Sequence, residues 1–292
     1  MQLFIIDLQD VGTRWYTYMA TMLDCLRVCA EAGCPVLVLD RPNPVGGALL
    51  EGPLPEKLGG PTCCAPIPAR HGMTMGELAR FFERTALQGL KLNLTVNTLD
   101  AWKPDLLFHQ CSLPWIPPSP NIPTSETAFV YVGMCLFEGT NLNEGRGTDE
   151  SFFVFGAPWL DNASILKEVG LEAAAGFKLT AIEYTPRSIP GKAAEPRYKG
   201  ESCRGVRVTI QDFTVARPFL LGVALLRAVR ARHPAEFQWS SSFDNLGGSP
   251  WIREAIDRGD KPTDIVARFT AGLEAFDAIR PRLYPPELPE DM

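Results

Sequence analysis

Residues 3–40, LFIIDLQDVGTRWYTYMATMLDCLRVCAEAGCPVLVLD, decide the fold. Two short apolar runs, LFIID (3–7) and PVLVLD (35–40), are rich in β-branched residues and show no alternation, as expected of strands buried on both faces. Between them apolar residues recur at 15, 18, 19, 22, 23, 26 and 29–30, a helical period, and Gly33 supplies the stop. Strand, helix and strand in this order predict a βαβ unit of a parallel sheet.

Outward from this unit the pattern continues. A long loop rich in proline and glycine covers 41–72. TMGELARFFERTAL (74–87) predicts a helix with Thr74 as N-cap and Glu77 as its capping-box partner. LKLNLTVNTL (90–99) alternates like a strand. LPWIPPSPNIPT (113–124) carries five prolines, which exclude helix and central strand, so it reads as an irregular loop of the kind that lines sites. SETAFVYVGMCLF (125–137) predicts a helix with Glu126 in its first turn. After GAPW (156–159) the character changes. ASILKEVGLEA is helical, KLTAIEYTP and GVRVTIQDF are strands, and three helical stretches follow to Tyr284. The expected architecture is a Rossmann-like parallel-sheet domain over 1–155, followed by a smaller α+β domain over 156–292.

Composition narrows the functions. The 292 residues are 46% hydrophobic and 21% charged, which suits a globular chain with a sizeable core. A net charge of −6 without any basic run lacks the positive footprint of a nucleic-acid binder. No apolar run reaches the length of a membrane span, and no signal-peptide pattern is visible, so the sequence leaves the compartment open. The eight cysteines show no repeated C-x-x-C, and the three histidines lack paired ligand spacing. The expectation is buried thiols of a reducing compartment and no metal.

In open α/β sheets ligands bind at the carboxyl ends of the strands. There the chain places Asp7, Asp10 and Arg14 after the first strand, and Asp40, Arg41 and Asn43 after the second. These residues are expected to share a rim with the loop EGTNLNEGRGTDESF (138–152), which follows an apolar helix and holds Glu138, Glu144, Arg146 and Thr148. Plainer roles stay open: Asp7 and Asp40 as turn or helix caps, the arginines as their ion-pair partners, and Tyr16 and Tyr18 as partly core. The loop is not a phosphate loop, since the glycine spacing is wrong, the lysine is absent and a helix precedes it. No dinucleotide fingerprint follows a strand and no G-x-S-x-G elbow occurs, so no cofactor is implied. Paired carboxylates among amide, hydroxyl, aromatic and arginine groups fit carbohydrate cleavage.

DLQDVGTRWYTYMATM, VLDRPNPVGG with EGP, PIPARHGMTMGELA, LPWIPPSPNIPT, EGTNLNEGRGTDESFFVFGAPW and RYKGESCRGVRV occur in that order from about Ile5 to Tyr284. Together they resemble the NamZ/YbbC-type family of peptidoglycan exo-β-N-acetylmuramidases, formerly a domain of unknown function. The resemblance implies a Rossmann-like domain and a smaller α+β domain with the active site in a cleft between them. It implies an activity that removes terminal N-acetylmuramic acid from cell-wall saccharides, in a family whose members are often exported. Residue by residue it implies a site of Glu138, Asn141, Glu144, Arg146 and Thr148, with Asn121, Asp10, Arg14, Tyr16, Asp40, Arg41 and Asn43. Glu144 is expected as the acid/base or acetamido-orienting carboxylate, with Glu138 in support. Arg146 or Arg14 is expected as the clamp on the lactyl carboxylate that distinguishes muramic acid from glucosamine. Family members carry further βα units before the strand that opens this chain, including a GPEHG-type motif with a glutamate and a histidine. Nothing in this sequence matches that motif. The expectation is a truncated start, with a catalytically inactive sugar-binding relative as the alternative.

Overall fold

The computed structural model describes residues 2–284 and divides the chain into two compact units, 1–118 with 271–292, and 119–270. In the first unit β1 (Phe4–Ile6), β2 (Val36–Leu39) and β3 (Leu94–Asn97) form a parallel sheet in the order β1-β2-β3. Register runs from Phe4 opposite Val36 to Leu39 opposite Asn97. Helix α1 (Tyr18–Glu31) is the crossover from β1 to β2, and Gly33 follows it at φ 60°, the left-handed conformation that glycine adopts without cost. Helix α2 (Met75–Arg84) starts on the expected capping box: Thr74 Oγ1 accepts from Glu77 N, and the Glu77 carboxylate accepts from Thr74 N. The core joins Met19, Met22, Leu26, Val36, Val38 and Phe82. Helix α9 (Thr270–Ile279) adds Phe276, which packs on Phe81 with ring centroids 5.7 Å apart.

The second unit contains a three-stranded antiparallel sheet in the order β4-β6-β5, formed by β4 (Val154–Ala157), β5 (Phe177–Tyr184) and β6 (Cys203–Ile210). Helix α3 (Ser125–Met134) is buried on every side and packs on α5 (Pro218–Arg232). The approach is close: a Cβ on Gly133 would lie 1.8 Å from the Pro218 carbonyl oxygen, and one on Gly222 would lie 2.6 Å from that of Gly133. Helices α4 (Asn162–Glu168), α6 (Phe243–Leu246), α7 (Trp251–Arg258) and α8 (Pro262–Ala267) complete this unit.

Packing divides the chain at Pro118, earlier than the change of sequence character near 155, and the second unit is not the smaller. The physical reason is β4. A boundary at 155 would cut this strand, whose hydrogen bonds run to β6, and would separate α3 from α5. The last of the three helical stretches, which ends at Tyr284, is two helices, α8 and α9, that fall in different units. Among the described residues no helix is long and apolar enough to cross a membrane.

Candidate active site

In the second unit the loop after α3 is buried, although its composition reads as solvated. A 3-10 turn over Cys135–Gly139 carries Glu138 out of the helix. Asn143 then pairs with Gly156 of β4 through two backbone hydrogen bonds of 2.9 Å, which fasten the loop to the sheet. The Asn143 side chain holds the next turn: its amide nitrogen donates to the Arg146 and Arg197 carbonyls, and its oxygen accepts from Gly145 N and Tyr184 Oη. Gly145 adopts φ 85°, and a Cβ there would meet the Glu150 carbonyl at 2.7 Å. Phe152 closes the loop at φ 65°, a sparsely populated conformation for a bulky residue, by donating from its backbone to the Glu144 carbonyl.

This scaffold brings Glu138, Glu144 and Arg146 together. Arg146 Nη1 lies 2.6 Å from Glu144 Oε1, and Nη2 lies 3.1 Å from Glu138 Oε1. The guanidinium also sits over the Phe152 ring, 5.1 Å from its centroid. The Glu144 side chain is 10% exposed, whereas those of Glu138 and Arg146 are 30% and 31% exposed. Glu138 Oε2 and Glu144 Oε2 have no hydrogen-bond partner among the described residues. Burial pushes the Glu138 carboxyl above the usual range; the Arg146 charge works against this and the Glu144 charge adds to it. Burial works against the Arg146 cation, but its two carboxylate partners more than offset it, so Arg146 titrates above its ordinary value.

The other loop residues singled out in the sequence shape the scaffold. Thr148 Oγ1 donates to the Gly145 carbonyl and accepts from Glu150 N. Asn141 pairs through its side chain with Glu236 O and Gln238 N. Asn121 bonds Lys192 O and Ser151 Oγ.

In the first unit the strand ends do carry the acids and arginines, but most point inward. Asp10 is buried; its Oδ2 accepts from Gly12 N at 2.6 Å and from His71 Nε2 at 3.2 Å. His71 Nδ1 accepts from Met73 N, so the ring proton sits on Nε2. Arg14 is 0% exposed and donates to the Thr62 carbonyl and the Cys63 thiol. Asp40 is buried and accepts from Arg41 N, Thr74 Oγ1, Gly76 N and Tyr284 Oη, the four donors opposing the upward push of burial on its carboxyl. Asn43 spans Met73 O and Val45 N. Tyr16 and Tyr18 both donate to the Pro118 carbonyl, which ties α1 to the proline-rich loop. Arg41 and Asp7 stay open: Arg41 Nε lies 2.6 Å from Asp7 Oδ1, and the two side chains are 42% and 45% exposed.

The clamp expected of Arg14 is therefore corrected, because a guanidinium with no exposure meets no ligand. Arg146 is also a poor clamp, since two carboxylates already neutralise it. Sequence reasoning passed over Asn143, His71 and the buried Arg70–Glu51 pair at 2.9 Å. Asn143 had a readable signal, an asparagine two residues before a glycine, which is a turn former. Among the described residues no group of three His, Cys, Asp or Glu is arranged to hold a metal ion. All eight cysteines are free thiols.

Carboxylates gathered on one guanidinium, with aromatic and amide groups around them, are the equipment of the glycosidase class. Comparison with known proteins narrows that class to one family. Residues 1–126 match the family model described as exo-beta-N-acetylmuramidase NamZ, N-terminal, and residues 129–284 match its C-terminal counterpart. The chain belongs to the NamZ family. It is 35% identical over 283 residues to the peptidoglycan beta-N-acetylmuramidase NamZ of Bacillus subtilis (strain 168), covering 96% of this chain and 66% of that protein's length. Two crystal structures of DUF1343 family proteins from Bacteroides fragilis NCTC 9343 are similar in fold. One has a TM-score of 0.86 at 27% identity, over 97% of this chain and 75% of that one. The other has a TM-score of 0.80 at 32% identity, over 98% and 76%.

Proposed function

We propose that this protein is an exo-acting β-N-acetylmuramidase that releases terminal N-acetylmuramic acid from peptidoglycan fragments. One observation carries the reading: in a chain of the NamZ family, Arg146 holds Glu138 and Glu144 together, each with one carboxylate oxygen left without a partner among the described residues. A general acid must hold its proton at the working pH, and burial gives Glu138 a carboxyl that does so better than an ordinary glutamate. Glu138 is thus proposed as the acid. Glu144, fixed by the 2.6 Å bond to Arg146, is proposed as the second carboxylate, acting as base or orienting the acetamido group. Arg146 serves as a positioning residue for both. Asn121, Asn141 and Thr148 hold the loop, while Asp10, Arg14, Asp40 and Asn43 hold the strand-end turns.

The test is release of a chromogenic aglycone from a β-N-acetylmuramide. Glu138→Gln and Glu144→Gln are each expected to lower kcat by ~10²–10⁴-fold, the usual worth of a positioned acid or base. Full turnover in both variants, or no turnover by the unaltered chain where the Bacillus subtilis relative is active, would overturn the proposal.

A further inference from the structure

The two arginines first suited to read a sugar carboxylate are committed elsewhere, Arg14 in the interior and Arg146 between two glutamates. The third, Arg41, has a different setting. It follows β2 and lines a cavity of about 480 Å³ in the first unit, a volume in the range of small-ligand sites. The opposite wall is the proline-rich loop, where Leu113 is 50% and Ile116 is 70% exposed. These apolar side chains stand open in the same cavity as the polar groups of Asp7, Gln9 and Arg41. Gln9, also in the lining, spends its amide nitrogen on the Asp10 and Pro42 carbonyls, which presents its oxygen as an acceptor.

The ion pair itself is informative. Asp7 engages Arg41 through Nε alone. The two terminal nitrogens of Arg41 have no hydrogen-bond partner among the described residues. A guanidinium held by its Nε presents its Nη pair as a fork, and a planar fork matches a carboxylate in bidentate geometry. Asp7 therefore orients the cation and leaves its carboxylate-binding edge open.

We propose that Arg41 is the specificity residue that binds the carboxylate of an acidic amino sugar in this cavity, with the loop over Leu113–Pro118 supplying the apolar wall. This rests on the muramidase reading for the identity of the sugar. N-acetylmuramic acid differs from N-acetylglucosamine by a lactyl ether, and its carboxylate gives the fork a partner that the neutral sugar lacks.

Calorimetric titration of the full chain with N-acetylmuramic acid and with N-acetylglucosamine tests the proposal without requiring turnover. The unaltered chain is expected to prefer the acidic sugar. Arg41→Gln is expected to lower affinity for N-acetylmuramic acid by at least ~10-fold and to leave N-acetylglucosamine unchanged. Arg41→Lys keeps the charge but not the fork, and is expected to recover only part of the loss. Both changes fall on a half-exposed pair, so a cooperative melt near that of the unaltered chain is expected. Equal weakening of both sugars, full recovery by lysine, or no binding of either sugar at millimolar concentration overturns the assignment. Hydrolysis whose acid-sugar preference ignores Arg41 also overturns it and leaves the muramidase reading intact. An Arg41-dependent preference without hydrolysis does the reverse.

Discussion

Arg146→Met replaces the charge that keeps two glutamates side by side while preserving most of the apolar stem. Glu138 and Glu144 would then face each other, with side chains only 30% and 10% exposed and nothing positive between them. Removing one partner of a buried ion pair costs about 3–5 kcal/mol, and the 31% exposure of Arg146 moves the expectation down to ~2–4 kcal/mol at pH 8. The pH dependence follows from Glu138. Its folded carboxyl titrates above the ordinary 4.5, so between 4.5 and the raised value the folded state holds a proton that the unfolded state has released. Stability therefore falls as pH rises through that window. Arg146 is the influence that restrains the shift, so its loss widens the window and deepens the fall. At pH 4, below that window, Glu138 carries its proton, so no pair of like charges is left to repel and the difference from the unaltered protein should shrink below ~1 kcal/mol. Urea unfolding of the two proteins at pH 4 and pH 8 measures both values. The double variant Arg146→Met, Glu138→Gln should regain at least ~1 kcal/mol at pH 8, because it removes the repulsion. A loss of the same size at both pH values, or a pH 8 stability within ~0.5 kcal/mol of the unaltered protein, would refute the reasoning.

Other outcomes follow from the same geometry. If Glu138 is the acid, kcat should fall as pH rises through its raised pKa, and Glu144→Gln should move that limb to lower pH by removing a like charge; pH–rate profiles of residual activity check both. Gly133→Ala places a methyl group 1.8 Å from the Pro218 carbonyl oxygen and should cost ~3 kcal/mol or more, read as a lowered Tm. Tyr284→Phe removes the 2.6 Å bond to Asp40 and leaves Leu99 N without its acceptor, a loss of ~1–3 kcal/mol measurable by denaturant titration.

The sequence showed the first unit's architecture well because its signals are local. Two unbroken apolar runs, one helical period and the Thr74–Glu77 capping box sit within short windows, and each element appears where the pattern put it, although the strands are not buried on both faces: Ile5 of β1 is 54% exposed and β2 alternates between buried and half-buried residues. β4 was hidden because VFGA is short, contains a glycine and is buried throughout, so no alternation marks it. Its identity as a strand depends on β6, some fifty residues away in sequence. The cluster of Glu138, Glu144 and Arg146 was legible as a group of polar residues between glycines. What the chain could not display was direction. Asp10, Arg14 and Asp40 have the composition of a binding rim, yet Gly12, His71, Thr62 and Tyr284 draw them inward. Arg41 looks no different in the sequence; its exposure and its single Nε bond to Asp7 separate it from the others.

The way α9 and Tyr284 join the first unit bears on the order of assembly. Residues 119–270 form an unbroken segment, so the second unit can close as soon as it leaves the ribosome. The first unit must wait, because Phe276 and the Tyr284 hydroxyl on Asp40 are made last. Until then the aspartate at the tip of β2 and the apolar face around Phe81 stand open to water. A chain synthesised as far as residue 270 thus holds every residue of the later unit, while the earlier one still lacks Phe276 and Tyr284.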